Sequence, residues 1–356
     1  MSRKVRTEHE ILAEAVVLLP AWYSANRRLL PWRQDPTPYH TWIAEIMLQQ
    51  TRIEAVIPYY VRFLAELPDV PSLAAVDEDR LLKLWEGLGY YSRARNLRKA
   101  AQVLMEHYGG KLPASFEELK KLPGIGDYTA GSIASISFGL PEPAVDGNVL
   151  RVLTRLCTLS EDITSQATKR KVTDLLRKHY PSGKAAALLT EAIMELGETV
   201  CLPNGVPLCR SCPLCGICLA HAGGTELNYP VKASKKPRRI EKKTVFLLHC
   251  GGRYALRKRP GSGLLAGLWE FPNVDGHLSP DAVCSALAGL ELNAGALRAE
   301  GPSKHIFTHV EWEMIGYRVE CAEESPYLLW KTPEEIARDY SLPTAFRYYQ
   351  KRISEV

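Results

Sequence analysis

The sequence predicts a multidomain chain: an all-α domain over residues 1–222, a basic linker over 223–243 and a smaller α+β domain over 244–356. Three observations predict it. Apolar residues recur at helical spacing from residue 8 to about 200, with only short breaks. Seven of the twelve residues from Lys232 to Lys243 are then basic, and two prolines interrupt the stretch around them, a composition that tethers and does not fold. Beyond it, TVFLLHC (244–250), RYALRKR (253–259) and EWEMIGYRVE (311–320) alternate with the period of strands.

Length and composition narrow the class. A chain of 356 residues is long enough for two cores. Hydrophobic and charged contents of 46% and 24% are those of a globular protein, which argues against a disordered chain. The N-terminus, MSRKVRTEHE, has no apolar stretch of the kind that directs secretion, and no run approaches the ~20 residues that span a bilayer. A cytoplasmic, bacterial-type location is expected. The nine cysteines fit a reducing compartment: five crowd between Cys201 and Cys218, while Cys157, Cys250, Cys284 and Cys321 are scattered and expected as buried thiols.

The elements follow in order. Tyr39, Trp42, Ile43, Ile46 and Met47 form the buried stripe of one helix. Similar spacing predicts helices over 75–86, 92–108, 115–121, 127–138, 148–158, 166–179 and 184–200. GLGY (87–90), YGGKLP (108–113) and FGLPEPAVDG (138–147) break them. The second domain adds a helix near 280–289. No internal repeat is visible.

Four features carry chemistry. LPGIG (122–126) places two glycines two apart between helices, either an ordinary turn or a backbone cradle that sets N–H groups against a phosphate. Asp146 follows twenty residues later. Glu45 lies at the edge of an apolar helical stripe, where desolvation raises a carboxyl pKa and keeps a proton available near neutrality. Cys201, Cys209, Cys212, Cys215 and Cys218 are spaced C-x7-C-x2-C-x2-C-x2-C. Thiolates this close bind an iron–sulfur cluster or a structural zinc.

Turn, carboxylate and cysteine cluster in that order resemble the helix–hairpin–helix DNA glycosylases that carry a [4Fe–4S] cluster. LPWR (30–33), IAEIMLQQT (43–51), WEGLGYYSRARNL (85–97), LPGIGDYTAGSI (122–133) and VDGNVLRV (145–152) sharpen the resemblance to adenine DNA glycosylases of the MutY kind, over essentially the whole chain. The resemblance implies a monofunctional enzyme of base excision repair that removes adenine mispaired with 8-oxoguanine, or with guanine, from duplex DNA as a monomer. Glu45 matches the acid that protonates adenine N7, and Asp146 the carboxylate that faces the sugar cation. Asn148 and Tyr128 match their hydrogen-bonding neighbours.

Further roles carry over. Arg28, Leu30 and Trp32 match the adenine pocket wall, with Glu191 also assigned to substrate binding. Gln50, Thr51, Leu88 and Tyr90 match residues that wedge into the duplex and meet the base opposite. Gly124, Gly126 and Arg93 are assigned to the DNA backbone. Endonuclease III-type relatives carry a lysine where this chain has Tyr128, so the Schiff-base route to strand cleavage is absent; on position alone, Tyr128 serves equally as a core aromatic. The family's cysteine spacing, C-x6-C-x2-C-x5-C, selects Cys201, Cys209, Cys212 and Cys218 as ligands with one extra residue in the first interval, and leaves Cys215 unassigned.

GLLAGLWEFP (263–272) resembles the MutT-like (Nudix-like) half of the same enzymes. The acidic R-E-x-x-E-E helix that holds magnesium in working pyrophosphohydrolases is missing, so this domain is expected to bind without hydrolysing. Its expected reading loop is Lys304 to His309, with His305, Phe307, Thr308 and His309 toward 8-oxoguanine and Thr308 where the family has serine. Three rivals are a glycosylase/lyase for oxidised pyrimidines, disfavoured by Tyr128 and the C-terminal domain, a non-catalytic lesion binder, disfavoured by the presence of both Glu45 and Asp146, and a nucleotide pyrophosphatase, disfavoured by the missing acidic helix.

Overall fold

The computed structural model describes residues 6–233 and 237–354; residues 234–236 of the expected linker lie outside them. The chain divides into two compact units, one of residues 1–75 and 96–234 and one of residues 76–95 and 235–356.

Among the described residues the first unit is built of helices joined by loops, with no strand. Its Pro38–Leu48 helix starts where Thr37 accepts a hydrogen bond from the His40 N–H and Pro38 occupies the first turn. All five residues of its predicted stripe are buried. The Asp127–Phe138 helix packs against both this helix and Lys184–Thr199, and the latter packs against Gly147–Cys157 and Glu8–Asn26. Ile11, Leu12, Leu19, Leu153, Leu176 and Leu189 share the core beneath them.

Two glycines fix how the chain reaches the site. Gly124, at φ +79°, turns the hairpin, and a Cβ there would stand 2.6 Å from Asn96 Cβ. Gly131 lets the 139–145 loop cross its helix, because a Cβ would meet the Pro143 carbonyl at 2.4 Å. That crossing delivers Asp146 to the start of the Gly147–Cys157 helix.

The second unit is built on a seven-stranded mixed sheet: β1 (Arg239–Cys250), β2 (Arg253–Lys258), β3 (Trp269–Glu270), β4 (Asn273–Asp275), β5 (Ala294–Ile306), β6 (Val310–Cys321) and β7 (Leu329–Lys331). The path is β3-β2-β1-β6-β5, with β4 on β1 and β7 on β2. β1 and β6 run parallel over their length. The period of two puts Val245 and Leu247 on one face with Trp312, Ile336 and Phe346, and Phe246 and Leu248 on the other with Val283, Leu287 and Val319. The helix expected near 280–289 is Pro280–Ala288.

Of the four scattered cysteines expected to be buried, Cys250 is half-buried and Cys284 exposed, and three features of the fold also differ from the expectation. β1 begins at Arg239, inside the range read as linker, because its cationic start pairs with the start of β6. β5 was not predicted: its sequence is rich in glycine and alanine, lacks alternation, and its register against β6 shifts between Glu300 and Ser303. Residues 76–95, helical and local in sequence to the first unit, pack with the second. Within that unit Lys258 pairs with Asp79 at 2.9 Å, Lys83 donates to the Tyr340 carbonyl at 3.1 Å, and Glu86 accepts from the Leu342 N–H at 2.8 Å.

Candidate active site

A cavity of about 510 Å³ opens in the helical unit. Both proposed catalytic carboxylates line it, together with Tyr128, Asn148, Arg28, Leu30, Trp32, Gln50, Thr51 and Glu191. Residues scattered over more than 160 positions of sequence therefore share one wall.

Glu45 reaches the cavity from the Pro38–Leu48 helix and is 6% exposed. Burial raises its carboxyl from the ordinary 4.5 to about 7, with the hydroxyls of Tyr128 and Ser132 pulling the other way and the charges of Asp146 and Glu191 adding to the rise. Its Oε2 has no hydrogen-bond partner among the described residues. A buried polar atom without a protein partner is costly, and the cavity gives this one room for a partner.

Asp146 is the N-cap of the Gly147–Cys157 helix, and its Oδ1 accepts the Val149 N–H at 2.8 Å. Burial raises its pKa, while the backbone N–H groups of Val149 and Asn148 favour the anion. The carboxylate is thus fixed by its own helix and aimed at the cavity. Asn148 Nδ2 donates to Glu198 Oε1 at 2.9 Å. Tyr128, second in its helix, sets its hydroxyl 3.9 Å from Met194 Sδ, and burial raises its pKa well above the ordinary value.

One wall of the cavity is a clamp that sequence reasoning missed. Glu195, with a fully buried side chain, accepts from Arg28 Nε at 2.6 Å and from Arg33 Nη1 at 2.8 Å. Burial would raise its pKa, but the two guanidiniums outweigh that and lower it. Glu191 is 3.7 Å from Arg33 Nε, and burial raises its pKa. Trp32 stacks edge-on against Tyr60, centroids 5.4 Å apart. The available signal was the spacing of Glu191, Glu195 and Glu198 at i, i+4 and i+7, an acidic stripe on an otherwise apolar helix.

Gln50 sits at φ +57° at the end of its helix, and Tyr90 in the second unit at φ +47°. Neither is glycine, so each stores strain of about 1–3 kcal/mol, a cost that recurs at functional positions. Tyr90 is 47% exposed, whereas Leu88 is buried. Arg93, assigned to the DNA backbone, is 8% exposed. It donates to the Leu88 and Gly89 carbonyls at 3.2 and 3.1 Å and lies over the Trp85 and Tyr90 rings. Desolvation lowers its pKa to about 10. Its place in the fold is to brace the turn that carries Leu88 and Tyr90.

In the same unit, the Tyr90 hydroxyl and Thr308 Oγ1 are 2.7 Å apart. Thr308 belongs to the β5–β6 turn, closed by the Phe307 N–H donating to Val310 O at 2.8 Å. Phe307 lies edge-on between His305 and Trp312, at 4.6 and 5.0 Å. Desolvation lowers the His305 pKa. Thr308 and His309 are exposed at the tip.

The cysteine loop folds back on the helical core. Cys201, Cys209, Cys212, Cys215 and Cys218 line one small cavity, and Cys215 is the exposed member. Burial pushes the Cys209 thiol up to about 11 and Cys212 up to about 12, and raises Cys218. The charges of Cys201, Cys209 and Cys218 add to that rise at Cys212. Thiolates that oppose one another in a desolvated pocket fit a cationic iron–sulfur centre. Arg155 donates to Cys201 Sγ at 3.3 Å and to Leu202 O at 2.8 Å, tying the loop to the core. Cys209, His221 and Glu226 form a second possible donor set within 4.8 Å, but Glu226 already engages His221 at 2.6 Å.

Residues 43–178 match the HhH-GPD superfamily of base excision DNA repair proteins, and residues 244–352 match the NUDIX domain. A solved non-covalent Endonuclease III–DNA complex is similar with a TM-score of 0.52 at 26% identity, covering 62% of this chain and 99% of that one. Fold and site define a helix–hairpin–helix enzyme of base excision repair. The chain is also 34% identical to the adenine DNA glycosylase of Homo sapiens over 93% of its own length and 73% of the relative's. For the Rattus norvegicus enzyme the values are 32%, 94% and 77%. The chain belongs to the adenine DNA glycosylases, hydrolases of N-glycosyl bonds.

Proposed function

We propose that this chain removes adenine mispaired with 8-oxoguanine, and with guanine, by hydrolysing the N-glycosidic bond of a nucleotide flipped out of duplex DNA. The observation that carries the reading is Glu45, a buried carboxyl with a pKa of about 7 and an oxygen unpartnered among the described residues, in the same cavity as the helix-capping Asp146. Adenine leaves deoxyribose slowly until its ring is protonated. Glu45 gives its proton to N7, and the Asp146 carboxylate faces the oxocarbenium ion that follows, the division of labour of retaining glycoside hydrolysis. A buried carboxylate balances that charge far better than water does. Tyr128 offers no amine, so the reaction ends at base removal.

The base opposite is read by the second unit. Thr308 and His309 supply a hydroxyl and an imidazole at an exposed tip, Phe307 stiffens the turn from beneath, and Tyr90 holds Thr308. Guanine and 8-oxoguanine differ only at C8 and N7, so a few placed polar groups suffice to separate them. Gly124 and Gly126 bring bare N–H groups to a DNA phosphate. Cys201, Cys209, Cys212 and Cys218 hold a [4Fe–4S] cluster. When bound, the cluster staples the loop of residues 201–218 and takes no part in a hydrolysis that moves no electrons. The protein works as a monomer on DNA in the cytoplasm.

A single-turnover assay on labelled duplexes with adenine opposite 8-oxoguanine or guanine tests this. Excision from both, faster opposite 8-oxoguanine and without strand cleavage, is expected. Replacing Thr308 and His309 with alanine should bring the two rates together. Strand cleavage, or equal rates in the parent, refutes the reading.

A further inference from the structure

We propose that Glu195 is a positioning residue for the target base, acting through Arg28 and Arg33. The inference rests on the adenine-excision reading above and concerns a residue that neither the motif pattern nor the proposed chemistry uses.

Both oxygens of Glu195 are committed. Oε1 accepts from Arg28 Nε at 2.6 Å and from the Arg28 backbone N–H at 3.3 Å. Oε2 accepts from Arg28 Nη2 at 3.1 Å and from Arg33 Nη1 at 2.8 Å. Arg28 is therefore held as a planar fork, side chain and backbone together, the geometry in which guanidinium and carboxylate fix each other's orientation. The carboxylate side chain is fully buried, while 33% of the Arg28 side chain remains exposed and Arg28 lines the cavity.

The wall needs such an anchor. Arg28 lies in the stretch between the Glu8–Asn26 helix and the short Pro31–Gln34 helix, and Leu30, which caps the latter, makes no side-chain cap bond. Arg33 also donates to Arg28 O at 3.4 Å and lies over the Tyr23 ring at 5.3 Å. One carboxylate thus ties a connection and a short helix to the rigid Lys184–Thr199 helix, and Leu30 and Trp32 are carried with them. Glu195 is neither of the groups assigned to proton transfer or to the sugar cation. Its loss should loosen the grip on the base and leave the chemistry of Glu45 in place.

The test uses the full chain and two duplexes carrying 8-oxoguanine. One has 2′-fluoro-2′-deoxyadenosine opposite, whose electron-withdrawing fluorine opposes the oxocarbenium ion and blocks cleavage. The other has a tetrahydrofuran abasic analogue and offers no base to grip. Glu195→Gln should weaken binding to the first at least tenfold and to the second by less than twofold. Glu195→Asp, which keeps the charge, should recover at least half of that loss on a logarithmic scale. The pH at which excision by Glu195→Gln begins to fall should match the parent's. Unchanged binding to both duplexes, or an equal loss on both that Asp does not rescue, overturns the proposal, the second outcome marking a residue that only supports the fold. Adenine excision by the parent is measured alongside, and its absence would refute the underlying reading rather than the role of Glu195.

Discussion

Replacing Glu45 with glutamine separates the chemistry of the site from its stability, and the two should move in opposite directions. In the parent, burial raises the Glu45 carboxyl from 4.5 to about 7. At about 1.4 kcal/mol per pH unit, ionising it in the folded protein costs about 3 kcal/mol more than in the unfolded chain. The sign follows from proton binding. Between those two pH values the folded state holds the proton more tightly, so stability falls as pH rises. The cost is absent below about 4.5 and fully present above about 7. Glutamine does not ionise and carries no such cost. Between pH 5.5 and 8.5 the stability of Glu45→Gln relative to the parent should therefore rise by about 2 kcal/mol.

Activity should do the reverse. General-acid catalysis is worth about 10²–10⁴ in rate, and glutamine has no proton to give. In the parent, single-turnover excision should fall about tenfold per pH unit above neutrality as the protonated fraction of Glu45 falls. Urea unfolding of both proteins across this pH range, with excision timed on the same preparations, checks both limbs. Parallel stability profiles would show that Glu45 titrates as an ordinary surface carboxyl. Excision by the mutant within tenfold of the parent would remove it from the proton-transfer step.

Asp146→Asn should lose at least three orders of magnitude in excision, because a neutral amide cannot balance the sugar cation; a rate within tenfold of the parent, with deamidation excluded by mass, would place the anion elsewhere. Its helix should survive, since asparagine caps as well as aspartate, and circular dichroism checks this. Cys209→Ser or Cys212→Ser should lower iron from about four per chain, the stoichiometry of a [4Fe–4S] centre, and weaken DNA binding with it, whereas Cys215→Ser should keep both; one zinc per chain by elemental analysis would overturn the assignment. Tyr90→Phe removes the partner of Thr308 and should reduce the 8-oxoguanine preference by about fivefold, the size of one hydrogen bond of about 1 kcal/mol, and an unchanged preference would show that the contact does not orient the loop.

Much of the site was readable because its residues sit in contiguous motifs whose local period fixes their direction. The stripe from Tyr39 to Met47 is buried as its spacing predicts, and the same spacing puts Glu45 at the margin where burial alters its acidity. Asp146 was readable from its place twenty residues after the LPGIG turn and from the VDGNVLRV match, whereas its role as the cap of the following helix comes from the fold. What escaped depends on contacts between distant segments. Glu195 matters because Arg28 and Arg33 lie against it from more than 160 residues away, and nothing in the sequence around Glu195 names them. Arg93 follows a Tyr-Tyr-Ser run and looks like a phosphate contact, but the carbonyls of Leu88 and Gly89 claim it. β5 lacks alternation, so only its pairing with β6 makes it a strand.

The placement of residues 76–95 changes how the second unit must be dissected. On sequence alone the reader of the opposite base begins where the linker ends, and removing residues 244–356 would look like a clean way to leave the catalytic domain behind. In the fold that cut takes away Lys258 from Asp79, the Tyr340 carbonyl from Lys83, the Leu342 N–H from Glu86 and Thr308 from Tyr90. The segment that loses these partners carries Leu88 and Tyr90, two of the residues assigned to the duplex. A truncated enzyme would therefore combine a missing reading loop with a loosened wedge, and lower activity in it could not be assigned to either. Thr308 and His309 are exposed at the turn tip, so their replacement leaves the other three contacts in place. Because Tyr90 reaches Thr308 directly, the 85–95 turn and the β5–β6 turn belong to one mechanical unit. On the reading proposed above, a change in the opposite base at Thr308 reaches the 85–95 turn through one hydrogen bond.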